Sequence, residues 1–129
     1  MKKILVTGSS GFMGSHLVDI LQENNAEVFC LDNKLNTYLK NNNQHIGDIL
    51  NEEAVDKAVK GCDVVYHFAA LADIGISSQN SKDTLNINIL GTLNILRACV
   101  KYNVKRLVFA STVYVYSKYG SFYRISKQT

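Results

Sequence analysis

Three glycines near the start of the chain are spaced for binding a pyrophosphate. Gly8, Gly11 and Gly14 follow an apolar run, residues 4–6, and open a segment with the pattern of a helix. In this arrangement the first glycine allows a tight turn, the second lets backbone N–H groups approach the phosphates, and the third lets the helix lie close to its strand. The N-terminus of the helix then faces the anion. The spacing predicts a dinucleotide site, and a glycine-containing turn that binds nothing is the alternative.

A carboxylate follows at the distance expected for a group that binds an adenosine ribose. Asp32 ends a second apolar run and lies 18 positions after Gly14, close to the spacing of ~20 residues typical of this role. A carboxylate there accepts hydrogen bonds from the ribose and disfavours a 2′-phosphate, so the sequence predicts NAD rather than NADP. Lys34 argues the other way, because a cation at that position could attract a phosphate. An Asp that only starts the following turn is the alternative.

The elements that must position these residues alternate between strand-like and helix-like patterns. Apolar runs predict strands at 3–7, 27–32, 45–48, 63–69 and 105–112. Helical periodicity predicts helices at 12–24, 51–60 and 83–102. Asn51 is expected to cap the second helix and Gly61 to end it. Such alternation is typical of a parallel sheet covered on both faces, so the predicted fold is α/β: a doubly wound parallel sheet of about five strands in three α/β/α layers.

The third predicted helix carries its large apolar residues at helical spacing. We expect its buried face to be formed by Leu85, Ile89, Leu93, Leu96 and Val100. Two polar residues in apolar segments have structural interpretations. His67 is expected to be a hydrogen-bonded core histidine rather than a catalyst. Asn88 either bridges neighbouring elements or is a solvated helix residue.

Composition limits the class of protein. The chain has 129 residues, 47% of them hydrophobic, and a net charge of +3, which suits one domain with a buried core. The dispersed lysines argue against a nucleic-acid partner, and the apolar runs are too short for a signal peptide or a membrane span. We therefore expect a cytoplasmic domain. Cys30, Cys62 and Cys99 are odd in number and widely spaced, which predicts buried thiols, and no grouping predicts a metal site.

Seven short motifs run along the chain. They are Thr7-Gly-x-x-Gly-Phe-x-Gly14, Asp32-Asn33 with Asn36, Asp48-Ile49, His67-Phe68-Ala69-Ala70, Asn88-x-x-Gly91-Thr92, Ser111-Thr112 and Tyr123-Arg-Ile-Ser-Lys127. Together they resemble the extended short-chain dehydrogenase/reductases, in particular the NAD-dependent sugar-nucleotide epimerase/dehydratase group. The resemblance extends over the whole chain. Within that group the ends of the second and fourth predicted strands, Leu31-Asp32-Asn33 and His67-Phe68-Ala69, are most similar to members of the UDP-glucose 4-epimerase type.

The resemblance implies a Rossmann-type fold, an NAD cofactor and a set of residues around it. That set is Gly8, Gly11, Phe12, Met13, Gly14, Asp32, Asn33, Asn36, Asp48, Ile49, Phe68, Ala69, Ala70, Tyr123 and Lys127. Within it the glycines would contact the pyrophosphate, Asp32 the ribose, and Asp48 and Ile49 the adenine. Lys127 would hold the nicotinamide ribose. Thr112, Tyr123 and Lys127 are the implied catalytic residues.

The Tyr-x-x-x-Lys spacing occurs twice. Tyr114 and Lys118 follow a predicted strand end, where residues four apart do not share a helical face. Tyr123 and Lys127 follow Ser121, where a helix is expected to begin, and residues four apart on a helix share a face. We therefore expect Tyr123 to be the functional tyrosine.

The chemistry of the implied catalytic set is proton and hydride transfer. A tyrosine has a pKa of about 10, which must fall to about 7 for it to act as a base near neutrality. The Lys127 ammonium and an oxidised nicotinamide would both stabilise the phenolate. Tyr123 would then remove a proton from a sugar hydroxyl held by Thr112, while hydride passes from the same carbon to NAD. In an epimerase the keto sugar turns over and takes the hydride back on its other face.

The expected activity is 4-epimerisation of a nucleotide sugar through a keto sugar. Two alternatives stay open: a reductase of the same family with another carbonyl substrate, and a non-catalytic NAD-binding sensor or scaffold. Dehydration is disfavoured, because Val113 and Tyr114 stand where the 4,6-dehydratases of the family carry acidic residues. The chain ends two residues after Lys127. We therefore expect it to be the N-terminal, NAD-binding part of a longer enzyme, poorly active alone and homodimeric when complete.

Overall fold

Five parallel strands form one sheet in the order β3-β2-β1-β4-β5. A computed structural model describes residues 1–70, 81–111, 113–116, 118 and 121–129, and among these the side chains of all but 113, 114 and 121–123. The strands are β1 (Lys3–Thr7), β2 (Glu27–Asp32), β3 (Gln44–Ile46), β4 (Val64–His67) and β5 (Arg106–Phe109). The predicted bounds of the first two strands are confirmed. The other three strands are shorter than expected.

Helices cover both faces of this sheet. They are α1 (Phe12–Glu23), α2 (Glu52–Val59), α3 (Ser81–Leu85), α4 (Thr92–Lys101) and α5 (Ser121–Gln128). A π-helical turn, Asn86–Gly91, joins α3 to α4, and a 3₁₀ turn, Val113–Tyr116, follows β5. The α/β architecture expected from the alternating pattern is therefore confirmed. Tyr114 lies in the 3₁₀ turn rather than at the end of a strand.

Alternating strand residues build two separate cores, because successive side chains point to opposite faces. Leu5 is fully buried on one face, where Val59 of α2 and Ile95 of α4 pack. Its neighbour Val6 is buried on the other face with Val18 of α1. Burial on both faces explains why the central strands are unbroken apolar runs.

The strand order brings the carboxyl ends of β1, β2 and β4 together. β1 pairs with β2 through Thr7 and Leu31, and with β4 through Thr7 and His67. The carboxyl ends of these three strands therefore meet at one edge of the sheet. The chain leaves β1 for a helix on one face and leaves β4 for helices on the other. Ligands of open α/β sheets bind in the crevice that this divergence opens.

The residues predicted to cap and to end the second helix, Asn51 and Gly61, are confirmed at α2. The Asn51 side chain accepts a hydrogen bond from the Ala54 N–H at 3.1 Å. Gly61 follows the helix with φ +85°, a conformation that glycine adopts without steric cost. The three cysteines are buried and unpaired, as predicted.

The expected buried face of the long helix is wrong. Leu93, Leu96 and Val100 are 39%, 44% and 80% exposed. The buried positions are Thr84, Asn88, Gly91, Ile95, Ala98 and Cys99. These positions are three or four residues apart both before and after the π-helical turn, so one face, made mostly of small or polar residues, is buried throughout. Small residues let the helix pack closely, as at Gly91, where an added Cβ would lie 2.7 Å from Ile49 Cγ1.

Candidate functional site

The loop between β1 and α1 requires glycine at two positions. Gly8 has φ +71°, and a Cβ there would lie 2.8 Å from the backbone of Phe68 and of Ala69. A Cβ on Gly14 would meet the Gly8 carbonyl, with the Gly8 carbonyl carbon only 2.8 Å away. No side chain caps the N-terminus of α1 at Gly11, and the first N–H groups of a helix have no partner within the helix. We call residues 8–14 the phosphate loop; its backbone is shaped to receive an anion.

Asp32 connects the end of β2 to the phosphate loop. Its carboxylate accepts hydrogen bonds from the Ser10 N–H at 2.9 Å and from the Lys34 N–H at 3.2 Å. The Ser10 hydroxyl in turn donates to the Lys34 carbonyl at 2.8 Å. A carboxylate has about four lone-pair sites, so these two bonds leave acceptor capacity for a further donor. The same group can therefore fix the loop and accept from a ligand hydroxyl.

Two adjoining cavities form one crevice along the carboxyl edge of the sheet. The first, of about 210 Å³, is lined by Gly8, Gly11, Leu31, Asp32, Asn33, Gly47, Asp48, Ile49, Phe68, Ala69, Ala70 and Ile87. The second, of about 600 Å³, is lined by Gly8, Gly11, Phe12, Met13, Gly14, Phe68, Ala70, Val108, Phe109, Ala110, Ser111 and Lys127. The phosphate loop lies where they join. The crevice thus extends from Asp32 at one end to Lys127 at the other.

Of the residues predicted to surround the cofactor, all those whose side chains the structure describes line this crevice except Asn36. The Asn36 amide oxygen accepts from the Tyr38 N–H at 3.0 Å. The crevice is also lined by residues that were not predicted to line it, namely Leu31, Gly47, Ile87 and residues 108–110 of β5 and its end. Leu31 and β5 could have been found from position alone, because each stands at the carboxyl end of a predicted strand.

The Asp32 end of the crevice is bounded by the turn that follows β3. Ile49 is 6% exposed, and its carbonyl accepts from Asn94 Nδ2 of α4 at 2.9 Å. The Asp48 carboxylate accepts from the Leu50 N–H at 2.9 Å. Because Ile49 also packs against Gly91, this wall of the crevice is fixed by the helix that carries the buried Asn88.

Lys127 is the buried cation at the other end. Its side chain donates to the Ala110 carbonyl at 3.0 Å and lies 4.5 Å from the centre of the Phe109 ring. Burial lowers the pKa of Lys127 from 10.5 to about 8. Tyr123 lies one turn earlier on α5, so the two Cα positions share a helical face. The Tyr123 side chain and the whole of Thr112 lie outside the described residues.

His67 is enclosed by polar side chains inside the core. It is 1% exposed, with Nδ1 2.7 Å from Thr7 Oγ1 and Nε2 2.9 Å from Thr92 Oγ1. Burial, and to a smaller extent the Lys127 charge, lower the pKa of His67 to about 4. The expectation of a hydrogen-bonded core histidine is confirmed.

Asn88 is buried as well, so the solvated alternative is wrong. It is 2% exposed and donates from Nδ2 to Ser126 Oγ at 2.8 Å. This bond joins the π-helical turn to α5, next to Lys127. No sequence pattern pointed to Ser126.

No group of three or more potential metal-binding side chains occurs in the part of the chain that the structure describes. None of the helices in these ranges combines the length and hydrophobicity needed to cross a bilayer.

A five-stranded parallel sheet with flanking helices and a glycine-lined crevice at its switch point defines a Rossmann-type domain. Residues 4–129 match the family model described as the NAD dependent epimerase/dehydratase family. The chain belongs to that family.

Relatives of known name are similar to this chain over part of their length. A protein of Methanocaldococcus jannaschii, provisionally named a UDP-glucose 4-epimerase, is 44% identical over 115 residues, which cover 84% of this chain and 37% of that protein. The structure of UDP-glucose 4-epimerase from Thermotoga maritima with UDP-glucose has a TM-score of 0.88 at 31% identity, covering 98% of this chain and 48% of that one. The enzyme of Thermus thermophilus in complex with NAD has a TM-score of 0.82 at 34% identity, covering 97% and 47%. The chain thus spans less than half the length of these relatives.

Proposed function

We propose that this chain is the NAD-binding part of an enzyme that epimerises a nucleotide sugar at C4. The observation that supports this most is the crevice, which has a carboxylate at one end, a glycine-lined anion site in the middle and a buried lysine at the other. Those three features match the ribose, the pyrophosphate and the nicotinamide end of a dinucleotide. The family is NAD-dependent, and relatives at 31% and 34% identity are named UDP-glucose 4-epimerases.

The described residues fit the cofactor. A Cβ at Gly8 or Gly14 would fill the space that the phosphate loop needs, and Gly11, the N-cap residue of α1, has no side chain to cap the helix. Asp32 has acceptor sites left for ribose hydroxyls, and Ile49 provides an apolar wall for adenine. Bound there, NAD would supply a hydride acceptor.

The chain's own residues would then orient the sugar and move its proton. Tyr123 removes the proton of the sugar hydroxyl, and Thr112 holds that hydroxyl by a hydrogen bond. With its pKa at about 8, Lys127 is mostly protonated at pH 7 and favours the phenolate form of Tyr123. The hydrogen bond to the Ala110 carbonyl holds the ammonium in place. Lys127 would therefore stabilise the phenolate without having to reorganise during the reaction.

The test is interconversion of UDP-glucose and UDP-galactose by the natural protein that contains this chain. Tyr123→Phe should remove most of the activity and leave NADH affinity nearly unchanged, because only the proton transfer is lost. Tyr114→Phe is the matched control and should change activity little. If the two variants behave the other way round, the proposed base is the wrong tyrosine. Net oxidation of NADH by a carbonyl substrate without epimerisation would indicate a reductase, and NADH binding without turnover would indicate a sensor or scaffold.

We further propose that the protein forms a homodimer through α4 and α5. Leu93 and Leu96 of α4 and Ile125 of α5 are 39%, 44% and 43% exposed, and a groove beside these helices, lined in part by Leu93 and Leu96, exposes mostly apolar surface. A second copy of the chain presents the same exposed apolar side chains, so pairing the two copies would cover this surface on both of them. Leu96→Glu should therefore halve the mass measured by light scattering. An unchanged mass, or a monomer before mutation, would contradict the proposal.

A further inference from the structure

The hydrogen bonds around His67 have only one possible direction on the side of β1. Thr7 Oγ1 accepts from the Phe68 N–H and from the Ala69 N–H, each at 3.0 Å. A hydroxyl has two acceptor lone pairs and one proton, so both lone pairs of Thr7 are used. Its proton must therefore point to His67 Nδ1, 2.7 Å away. The Nδ1 atom is an acceptor and carries no proton.

The direction on the other side follows from the first. A neutral imidazole without a proton on Nδ1 carries it on Nε2, and Nε2 lies 2.9 Å from Thr92 Oγ1. The imidazole therefore donates to Thr92, and the Thr92 hydroxyl donates to the Asn88 carbonyl at 2.7 Å. A second proton on the imidazole would lie on Nδ1 and face the Thr7 hydroxyl proton, because both lone pairs of Thr7 are already used; this agrees with a lowered His67 pKa.

This chain of bonds ends at the π-helical turn. A π-helical turn is rare and occurs mostly as an isolated turn within an α-helix, and a threonine that bonds the carbonyl four residues earlier bends a helix. Thr92 does this at Asn88. The Asn88 side chain donates to Ser126 Oγ at 2.8 Å.

The last step reaches the buried lysine. Ser126 precedes Lys127 on α5, and Lys127 donates to the Ala110 carbonyl at 3.0 Å. Thr7, at the other end of the chain of bonds, is the residue before the phosphate loop. The His67 imidazole thus connects Thr7, next to the phosphate loop, with α5, which carries Lys127 at the other end of the crevice.

We propose that His67 is a positioning residue, a neutral Nε2–H imidazole that orients the Thr92 hydroxyl, holds the π-helical turn, and through Asn88 and Ser126 fixes α5 relative to the crevice. Its catalytic consequence rests on the proposed function, because α5 carries Tyr123 and Lys127. A displacement of reacting groups by ~1 Å can cost on the order of a hundredfold in rate. Loss of this chain of bonds should therefore lower kcat more than it changes KM.

The direct test is the tautomer of His67 in the natural protein containing this chain. With ¹⁵N-labelled histidine, the resonance assigned by its loss in His67→Gln should have the pattern of an Nε2–H imidazole at pH 7. An Nδ1–H or doubly protonated ring would overturn the proposal. This measurement needs no variant to be active, and the unmodified protein supplies the result.

The functional test compares two substitutions at Thr92. Thr92→Val removes the hydroxyl with little change of shape, whereas Thr92→Ser keeps it. We expect Thr92→Val to lower kcat by roughly ten- to hundredfold, with KM and NADH affinity changed less than about twofold, and Thr92→Ser to restore most of kcat. The valine variant should also exchange the backbone amides of 88–92 faster than the serine variant does.

The outcomes separate this proposal from the proposed function. Equal kcat in both variants, or equal loss in both, would refute the positioning role. A protein that has no epimerase activity, but has the Nε2–H tautomer and faster exchange only in Thr92→Val, would refute the proposed function and support the chain of hydrogen bonds.

Discussion

Lys127 should titrate at about pH 8 in the folded protein, well below the ordinary lysine pKa of about 10.4. The cause is burial: the side chain is 8% exposed, and the low-dielectric surroundings disfavour its charged form. The Ala110 carbonyl and the Phe109 ring compensate only in part. Proton–carbon NMR of protein labelled with ε-¹³C-lysine should show one signal that moves near pH 8 and is missing in Lys127→Met.

The lowered pKa has a cost in folding stability whose sign can be worked out. A change from 10.5 to about 8 corresponds to about 3 kcal/mol. The unfolded chain holds this proton more tightly, so this contribution to the free energy of unfolding rises with pH between 8 and 10.5. Below pH 8 the full cost is present, and above pH 10.5 it has disappeared. Lys127→Met should therefore raise the free energy of unfolding at pH 7 by about 2 kcal/mol, after loss of the hydrogen bond to the Ala110 carbonyl, worth about 1 kcal/mol.

Urea denaturation at pH 7 and pH 9.5 tests this reasoning. The stability advantage of Lys127→Met should shrink by about 2 kcal/mol at the higher pH, because most of the cost to the unmodified protein is gone there. Lys105→Met removes an exposed lysine and is the control, expected to bring no such advantage. A Lys127→Met protein that is less stable at pH 7, or whose difference is the same at both pH values, would refute the burial argument.

Two further predictions concern the phosphate loop and the ribose site. Gly14→Ala should cost roughly 2–3 kcal/mol of stability and weaken NADH binding, because α1 must move away from Gly8. The control is Gly61→Ala, whose Cβ meets no atom within 4 Å and which should cost about 1 kcal/mol through the positive φ of Gly61. Equal NADH affinity in the two variants would contradict this prediction. Asp32→Ala should weaken NADH binding about tenfold or more and abolish its preference over NADPH in a fluorescence titration. The control is Asp63→Ala, which also removes a carboxylate bonded to a backbone N–H and should leave NADH binding and the preference over NADPH unchanged. Tighter binding of NADPH than of NADH by the unmodified protein would overturn the assignment of NAD.

Sequence alone predicted the sheet because its strands are short and buried. β1 and β2 were predicted with their observed bounds, since strands covered on both faces consist of unbroken apolar residues. Asn51 and Gly61 gave the ends of α2 for an equally local reason, a side-chain cap and a positive φ. Such signals need no knowledge of distant parts of the chain.

The crevice could be predicted from the same local signals for a topological reason. Gly8 and Phe68 each follow a strand and Asp32 ends one, and the carboxyl ends of parallel strands meet at one edge of the sheet. Asn36 shows where this reasoning fails. It is close to Asp32 in sequence, but its amide oxygen is used by the Tyr38 N–H, and a hydrogen bond of that kind depends on the path of the loop.

The predicted buried face of the long helix was wrong because it was chosen from the largest apolar residues. The buried positions Thr84, Asn88, Gly91, Ile95 and Ala98 lie three or four residues apart, so they form one helical face that continues through the π-helical turn. Most of them are small or polar, because the helix packs closely at Gly91 and because Asn88 is hydrogen-bonded to Ser126. Leu93 and Leu96 lie on another face and are exposed. Which face of such a helix is buried therefore depends on partners far away in sequence, and periodicity alone cannot choose between the two faces.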